Sequence, residues 1–275
     1  MEYEGLSALE IYKKIRNDIQ NLYRSRLQTE ILLSLSEGGK TLLQLREITG
    51  SSSQSVIPRI RKLEAMYLLE KHKNEYRLTP SGKIIASRIA DFSRTLVVMN
   101  KHSKYWANHY LEGIPEALLN EIGDIFDFEI IHDTNVNIFN VYSNYLKIVK
   151  EAGKISGISP IMHPGLADAL GERIIEGISV ELIVSRDVAL QLKHEPYLGK
   201  IKVLAGNKNF RLMVTDEKVR LGLTVTDKCL SLGLYKKDGV TYDTTTDLSN
   251  FDRRAIEWGE RLFEYYKKRA DILNI

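Results

Sequence analysis

Apolar positions in the first third of the chain recur every three or four residues and stop at glycines, the spacing of short amphipathic helices. Leu22, Leu27, Ile31, Leu32 and Leu35 form one such series, ended by Glu37-Gly38-Gly39, after an opening helix around Leu9 to Ile19. Thr41 is placed to cap a second helix, Leu42 to Thr49, whose Leu42, Leu45 and Ile48 make a stripe before Gly50. Ser51-Ser52-Ser53 offers N-caps for a third helix with Val56, Ile60 and Leu63 on one face. The period then changes. Tyr67 to Lys71 and Glu75 to Leu78 read as strands around the polar tip His72-Lys73-Asn74. Thr79-Pro80 opens a further helix, with proline at the first helical position, where a missing N–H costs nothing. From Lys83 the helical pattern runs to about Tyr110, with Ile84, Ile85, Ile89, Phe92 and Leu96 on its apolar side.

After Asn135 the two periods alternate: helix from Ile138 to Val149, strand from Ile155 to Ser159, helix from Gly165 to Ile175, strand from Val180 to Val184, helix from Asp187 to Leu192. Further strands are expected at Ile201 to Leu204, Phe210 to Val214, Val219 to Val225 and through Leu230, Leu232 and Leu234, with a turn at Lys236 to Gly239 and a closing helix from Asp252 to Ile272. The expected fold class is α+β or α/β. A winged helix-turn-helix over residues 1–100 is joined by a long helix to an α/β domain with a mixed sheet over 101–275, where the chain would sense a signal or dimerise. A length of 275 residues suits two domains.

Composition narrows this further. With 43% hydrophobic and 27% charged residues the chain can bury a core. Its single cysteine, Cys229, excludes a disulfide scaffold or thiolate zinc cluster and fits a reducing interior. The opening stretch has no apolar run of signal-peptide or membrane-span length, so the expectation is a cytoplasmic protein without a membrane partner. The net charge of +3 hides an asymmetry: the first 100 residues carry 16 Lys and Arg against 11 Asp and Glu, and the rest carry 23 against 25. The excess lies between Ser51 and Arg94, where nine bases face four acids, as a polyanion-binding face requires.

If Val56, Ile60 and Leu63 pack inward, then Ser55, Arg59 and Lys62 lie opposite them, with Ser52, Ser53 and Gln54 at the helix start. These six positions can reach a major groove: Arg suits guanine, Gln suits adenine, and serines and Lys62 suit phosphate or mixed contacts. Lys71, His72, Lys73 and Asn74 on the wing would meet the neighbouring backbone or minor groove of double-stranded DNA. Pro58 removes one amide from the helix ladder and is expected to kink or tighten its first turns. Leu63 to Leu69 (Leu-Glu-Ala-Met-Tyr-Leu-Leu) and Tyr76 to Gly82 (Tyr-Arg-Leu-Thr-Pro-Ser-Gly) resemble winged helix-turn-helix transcriptional regulators of bacteria and archaea. Leu230 to Tyr235, Asp238-Gly239, Tyr242-Asp243, Trp258 to Tyr266, Ile114-Pro115 and Ile122-Gly123 are similar to the C-terminal domain of archaeal winged-helix regulators named after the methanogenesis regulatory protein. The resemblance implies a transcriptional regulator and names no ligand. Reading a two-fold operator calls for a homodimer with wings about 34 Å apart, its seam on the opening or the linking helix.

Ligands of open α/β sheets sit beyond the carboxyl ends of parallel strands. Here that places Ser159, His163, Ser185 and Arg186 around a possible small-molecule effector, an anion or polar metabolite. Cys229, on an alternating apolar strand, reads as a buried structural residue. His102-Ser103-Lys104 begins like a phospholipase D signature, but His109 stands where Asp should, so that enzyme reading fails. His102 and His109, seven apart on an expected helix face, lack a third ligand, and no metal or cofactor is expected. With no P-loop, Gly-x-Ser-x-Gly, His-Glu-x-x-His or dinucleotide fingerprint, catalysis has no residues to rest on. The closing aromatics Trp258, Phe263, Tyr265 and Tyr266, at helical spacing, pack a helix rather than stack on bases. The rival to a DNA reader is a ligand-gated protein-interaction module built on the same winged helix.

Overall fold

The computed structural model describes residues 5–273. The chain divides between Ser93 and Arg94 into two compact units.

In the first unit α1 (Ala8–Tyr23) begins with a reciprocal cap: Ser7 Oγ accepts from the Glu10 amide, and the Glu10 carboxylate accepts from the Ser7 amide. α2 (Arg26–Leu35) is a separate helix, because Ser25 caps it by accepting from the Gln28 amide. The series Leu22 to Leu35 therefore splits at a cap that periodicity alone does not show. β1 (Lys40–Thr41) precedes α3 (Leu42–Thr49), which has a Thr41–Gln44 capping box and ends at Gly50 with φ +60°. α4 (Ser53–Ala65), β2 (Leu69–His72), β3 (Glu75–Leu78) and α5 (Pro80–Lys101) follow. The strands pair antiparallel in the order β1-β3-β2. His72 pairs with Glu75, so the wing tip shrinks from three residues to Lys73-Asn74. Ile31, Leu32, Leu45, Val56, Ile60 and Leu63 fill the core, each burial contributing roughly 1.5–3 kcal/mol.

The expected single helix from Lys83 to Tyr110 is interrupted. α5 ends at Lys101, His102 leaves helical geometry (φ −138°, ψ 51°), and α6 (Ser103–Asn108) turns back. There the Trp106 indole donates to the Val98 carbonyl at 2.7 Å, satisfying a group the last turn would orphan. β4 (His109–Tyr110), α7 (Glu116–Asn120), a 3-10 turn at Ile122–Ile125 and β5 (Glu129–His132) come next, and no apolar period marks them in the sequence. α8 (Asn140–Glu151), β6 (Lys154–Ser159), α9 (Pro164–Ile175), β7 (Ser179–Ser185) and α10 (Arg186–Leu192) keep the expected alternation.

α11 (Tyr197–Ala205) corrects the strand expected at Ile201 to Leu204. Leu198, Ile201 and Leu204 recur every three residues, and Ile201 is buried against Val188 and Leu192 of α10. β8 (Phe210–Thr215), β9 (Leu221–Thr226), β10 (Leu230–Lys236), β11 (Thr246–Asn250), α12 (Arg253–Lys267) and β12 (Ala270–Ile272) complete the unit. α12 stops short of the expected Ile272 because Ala270 to Ile272 pair with the exposed edge of β8.

The sheet order is β12-β8-β7-β6-β9-β10-β11-β5, with β4 also paired to β10. β6, β7 and β8 are parallel and the other pairs antiparallel, a mixed sheet. One face carries Ile158, Leu223, Leu232 and Leu248 against Trp258, Leu262 and Phe263 of α12. Trp258 Nε1 donates to the Leu118 carbonyl at 3.0 Å. Cys229 is buried and donates to the Leu230 carbonyl, and burial pushes its thiol up to about 12, out of range of redox chemistry.

Candidate functional site

The first unit offers an exposed polar surface on α4 and the wing. Ser52 is the N-cap of α4, its side chain capping no backbone amide and its hydroxyl hydrogen-bonded to that of Ser55 at 3.3 Å. Ser52, Gln54, Ser55 and Arg59 are exposed and Ser53 half-buried. Lys62 is half-buried and donates to Asn21 Oδ1 of α1 at 3.0 Å, so its charge is tied to a neighbouring helix. Pro58 sits on the outside of α4, which continues through it for 13 residues.

At about 100° per residue, the direction opposite Val56, Ile60 and Leu63 runs through Gln54, Pro58, Arg61 and Ala65. Ser55, Arg59 and Lys62 lie on its flank. The sequence reading therefore missed Arg61, which is exposed; measuring the angle from the three core residues would have found it. On the wing Lys71, His72, Lys73 and Asn74 are all exposed, with Lys73 in the left-handed region at φ +56°.

Tyr67 was also missed. It is 81% exposed and has φ +57°. α4 closes there in a Schellman pattern, Tyr67 N–H to the Glu64 carbonyl and Leu68 N–H to the Leu63 carbonyl, both 2.9 Å. The position favours glycine, and a β-carbon there costs roughly 1–2 kcal/mol. A large exposed aromatic kept at that cost, between the end of α4 and the wing, makes Tyr67 a candidate contact residue.

The second unit holds a cavity of about 1220 Å³ on the sheet face turned away from α12, walled by α8, α9 and α11. Ser159 and His163 line it; the Ser159 hydroxyl donates to the Ile161 carbonyl, and His163 packs on the Tyr142 ring. Ser185 and Arg186 do not line it. Ser185 caps α10 by accepting from the Val188 amide, and Arg186 is ion-paired to Asp216. The four residues expected beyond the strand ends thus do not converge, because the helix start consumes the serine and an aspartate takes the arginine.

The cavity floor follows from strand register. Gly157, Thr224, Ser231 and Ser249 stand side by side on β6, β9, β10 and β11, and Gly222 pairs with Gly233 in the next row. Tyr242 lies over these two glycines, where a β-carbon on either would strike its hydroxyl. Asp247 is buried and accepts from Ser231 Oγ at 2.8 Å and Ser249 Oγ at 3.5 Å on one oxygen, Oδ2. Burial raises its carboxyl to about 7. Asp243 behaves oppositely: burial opposes its charge, but bonds from Thr245, Thr246 and His109 outweigh it and hold the carboxyl below its ordinary value.

His109 lies on β4 rather than on a helix face shared with His102, with its ring nitrogens 2.7 Å from the Tyr105 carbonyl and 3.1 Å from Asp243 Oδ2. His102 packs against Phe128 at the break after α5. Among the described residues no group of three or more His, Cys, Asp or Glu is placed to hold a metal ion.

Two successive segments match one protein family. Residues 16–97 match the N-terminal domain, and residues 138–269 the middle domain, of methanogenesis regulatory protein FilR1. The chain belongs to the FilR1 family. A relative, methanogenesis regulatory protein FilR1 of Methanothrix harundinacea (strain 6Ac), is 27% identical over 253 residues, 91% of this chain and 56% of the relative. This FilR1-family chain thus spans little more than half the length of that relative.

Among solved structures it is similar to TrmBL2, an archaeal chromatin protein, at TM-score 0.44 and 15% identity over 97% of this chain and 100% of that one. It is also similar to Nuc of Salmonella typhimurium, a phospholipase D family member, at TM-score 0.41 and 11% identity over 54% and 99%. The FilR1 N-terminal match contains all of α4 and the wing, and the middle-domain match contains the floor of the cavity. No helix among the described residues is long and apolar enough to cross a membrane.

Proposed function

We propose that this chain is a DNA-binding transcriptional regulator that reads duplex DNA with α4 and the wing, while its second unit senses an effector or mediates dimerisation. The observation that carries the reading is the exposed polar surface of α4, with Gln54 and Arg61 opposite the core and Ser55 and Arg59 on its flank, together with Ser52 and the wing residues Lys71, His72 and Lys73, in the part of the chain that holds the basic excess. Arg59 and Arg61 offer the forked donors that suit guanine edges, Gln54 suits adenine, and the wing lysines suit phosphate. Membership of a family named for regulation supports the same reading.

Homodimerisation is supported by α1, which is amphipathic yet buries none of its residues, leaving Leu9 60% exposed. Phe92, Leu96 and Val97 of α5 are also exposed. An isologous pair using such faces would set two recognition helices about 34 Å apart.

The test is retardation of genomic duplex fragments across a salt series. Several phosphate contacts give a steep fall of log affinity with log salt, and a flat response or no retardation at moderate salt overturns the reading in favour of a protein-interaction module.

A further inference from the structure

The cavity of the second unit has two chemically different halves. Over β6, β9, β10 and β11 its floor is small and polar, and Asp247 closes that end. Toward β7, α9 and α11 the lining is mostly apolar, with Leu166, Leu170, Leu182, Val184, Ile201 and Leu204, interrupted by the exposed Asp168, Glu172 and Lys200. At about 1220 Å³ it is at least as large as sites that enclose drug-sized molecules, roughly 300–1,000 Å³.

The small floor is not a by-product of strand formation. The alternate positions of the same strands, Leu221, Leu223, Leu230, Leu232 and Leu234, are large and fill the core under α12. Glycine at 157 and hydroxyls at 224 and 231 leave the other face open, while Gly222 and Gly233 make room for the Tyr242 ring that lies over them.

The charges around the cavity select the ligand. Carboxyl groups at Asp133, Asp168, Glu172, Asp243 and Asp247 line it, while Lys200 is the single Lys or Arg among the lining residues and is 2.5 Å from Asp168. An anion would meet carboxylates and no unpaired base. Asp247 takes both of its serine hydroxyls on Oδ2, and Oδ1 receives no hydrogen bond from the described residues. A buried carboxylate in such surroundings is stabilised most by a cation that brings its own N–H donors. In addition, the Tyr105 hydroxyl is buried without a partner, and the charges of Asp247 and Asp243 act on it.

We propose that the cavity binds an amphipathic amine, its ammonium group seated at Asp247 and its apolar body lying between α9, α11 and β7. This deepens the sensing half of the proposed function and rests on that half only for its regulatory consequence. An ammonium requires Asp247 ionised, and the carboxyl's raised value of about 7 makes amine affinity rise as pH increases from 6 to 8, while an alkylamine stays charged with a pKa of about 10.4. The titratable groups on which the Asp247 charge acts are Tyr105 of α6, Tyr242 between β10 and β11, and Cys229 ahead of β10, with the His109–Asp243 pair between β4 and the β10–β11 connection. Burial keeps Tyr105, Tyr145 and Tyr242 neutral across that range.

Calorimetric titration of the full chain with n-octylamine, n-octyl β-glucoside and octanoate compares one tail with cationic, neutral and anionic heads. The expected result is amine binding at least about tenfold tighter than octanoate, strengthening from pH 6 to pH 8. Asp247→Asn should weaken the amine by about tenfold or more, remove its pH dependence and leave the glucoside within about twofold. Leu166→Trp, which narrows the apolar half away from Asp247, should weaken amine and glucoside alike. Thermal unfolding of each variant establishes that it is folded. Octanoate binding as tightly as the amine, absence of saturable amine binding, or amine affinity unchanged in a folded Asp247→Asn protein would overturn the proposal. Duplex retardation with and without octylamine separates the two readings: amine binding without any change in DNA affinity sustains the cavity's ligand and removes the sensing role.

Discussion

Tyr67 and Asp247 each hold a side chain where local energetics oppose it. Tyr67 occupies the left-handed C′ position of α4, where glycine carries no β-carbon penalty. Tyr67→Gly is therefore expected to stabilise the first unit by about 1 kcal/mol in urea unfolding while weakening duplex binding. A loss of stability would mean the ring packs in a way its exposure denies. Asp247 acts through pH. Its folded value of about 7 lies above the ordinary 3.8, so the folded state holds a proton that the unfolded state has released between these values. The cost of burying its charge is absent below about pH 4, grows as pH rises, and is complete above about 7. Asp247→Asn should raise the melting temperature at pH 8 and change it much less at pH 5, the difference amounting to a few kcal/mol on the order given by 1.36 kcal/mol per unit. Equal effects at both pH values would show that its carboxyl titrates normally.

Among the elements, the start of α5 is locked against the segment that joins α4 to β2. The Thr79 hydroxyl donates to the Tyr67 carbonyl at 2.6 Å and accepts from the Gly82 amide at 3.0 Å, tying the helix start to the end of α4. A β-carbon at Gly82 would overlap the Leu68 carbonyl oxygen, so this glycine is required by close approach rather than by an unusual φ. Gly82→Ala should lower the stability of the first unit by roughly 2 kcal/mol or more, because backbone rather than a flexible side chain must move. Chemical denaturation followed by duplex retardation would show whether the wing is displaced with it. The segment from Tyr76 to Gly82 was legible as a motif, and packing supplies its physical reason. The splits at Ser25 and His102 were not legible, since apolar spacing continues across both and only a cap and the Trp106 indole end the helices there.

On the scale of the whole molecule, charge is divided between the two units. The basic excess falls in the unit with the exposed α4 face, and the cavity of the other unit is lined by carboxylates. Two variants separate the parts played by that excess. Lys73→Ala removes a wing charge without relieving the left-handed backbone, since both residues carry a β-carbon, and should weaken all duplexes evenly with a shallower salt slope of about one unit. Arg59→Ala or Arg61→Ala should cost about 1–3 kcal/mol and relax preference among sequences. Equal losses on all duplexes from the arginine variants would assign them to phosphate instead. The Ser159, His163, Ser185 and Arg186 site could not be assembled from sequence, because strand ends locate loops but not which side chains caps and ion pairs consume.

The sequence by itself determined the local chemistry: the caps at Thr41 and Thr79, the inward stripe Val56, Ile60 and Leu63, the alternating leucines of β10, and the place of the charge. Each depends on neighbours within a turn or two, which the chain specifies directly. Tertiary structure alone decided the rest. β4, β5, β11 and β12 are short edge or late strands held by partners up to more than a hundred residues away, as Tyr110 is by Tyr235. α11 is helical because Ile201 finds a buried face among α10 and the sheet. The cavity exists because Gly157, Thr224 and Ser231 fall into register across three strands, and register is a property of pairing that no single segment carries.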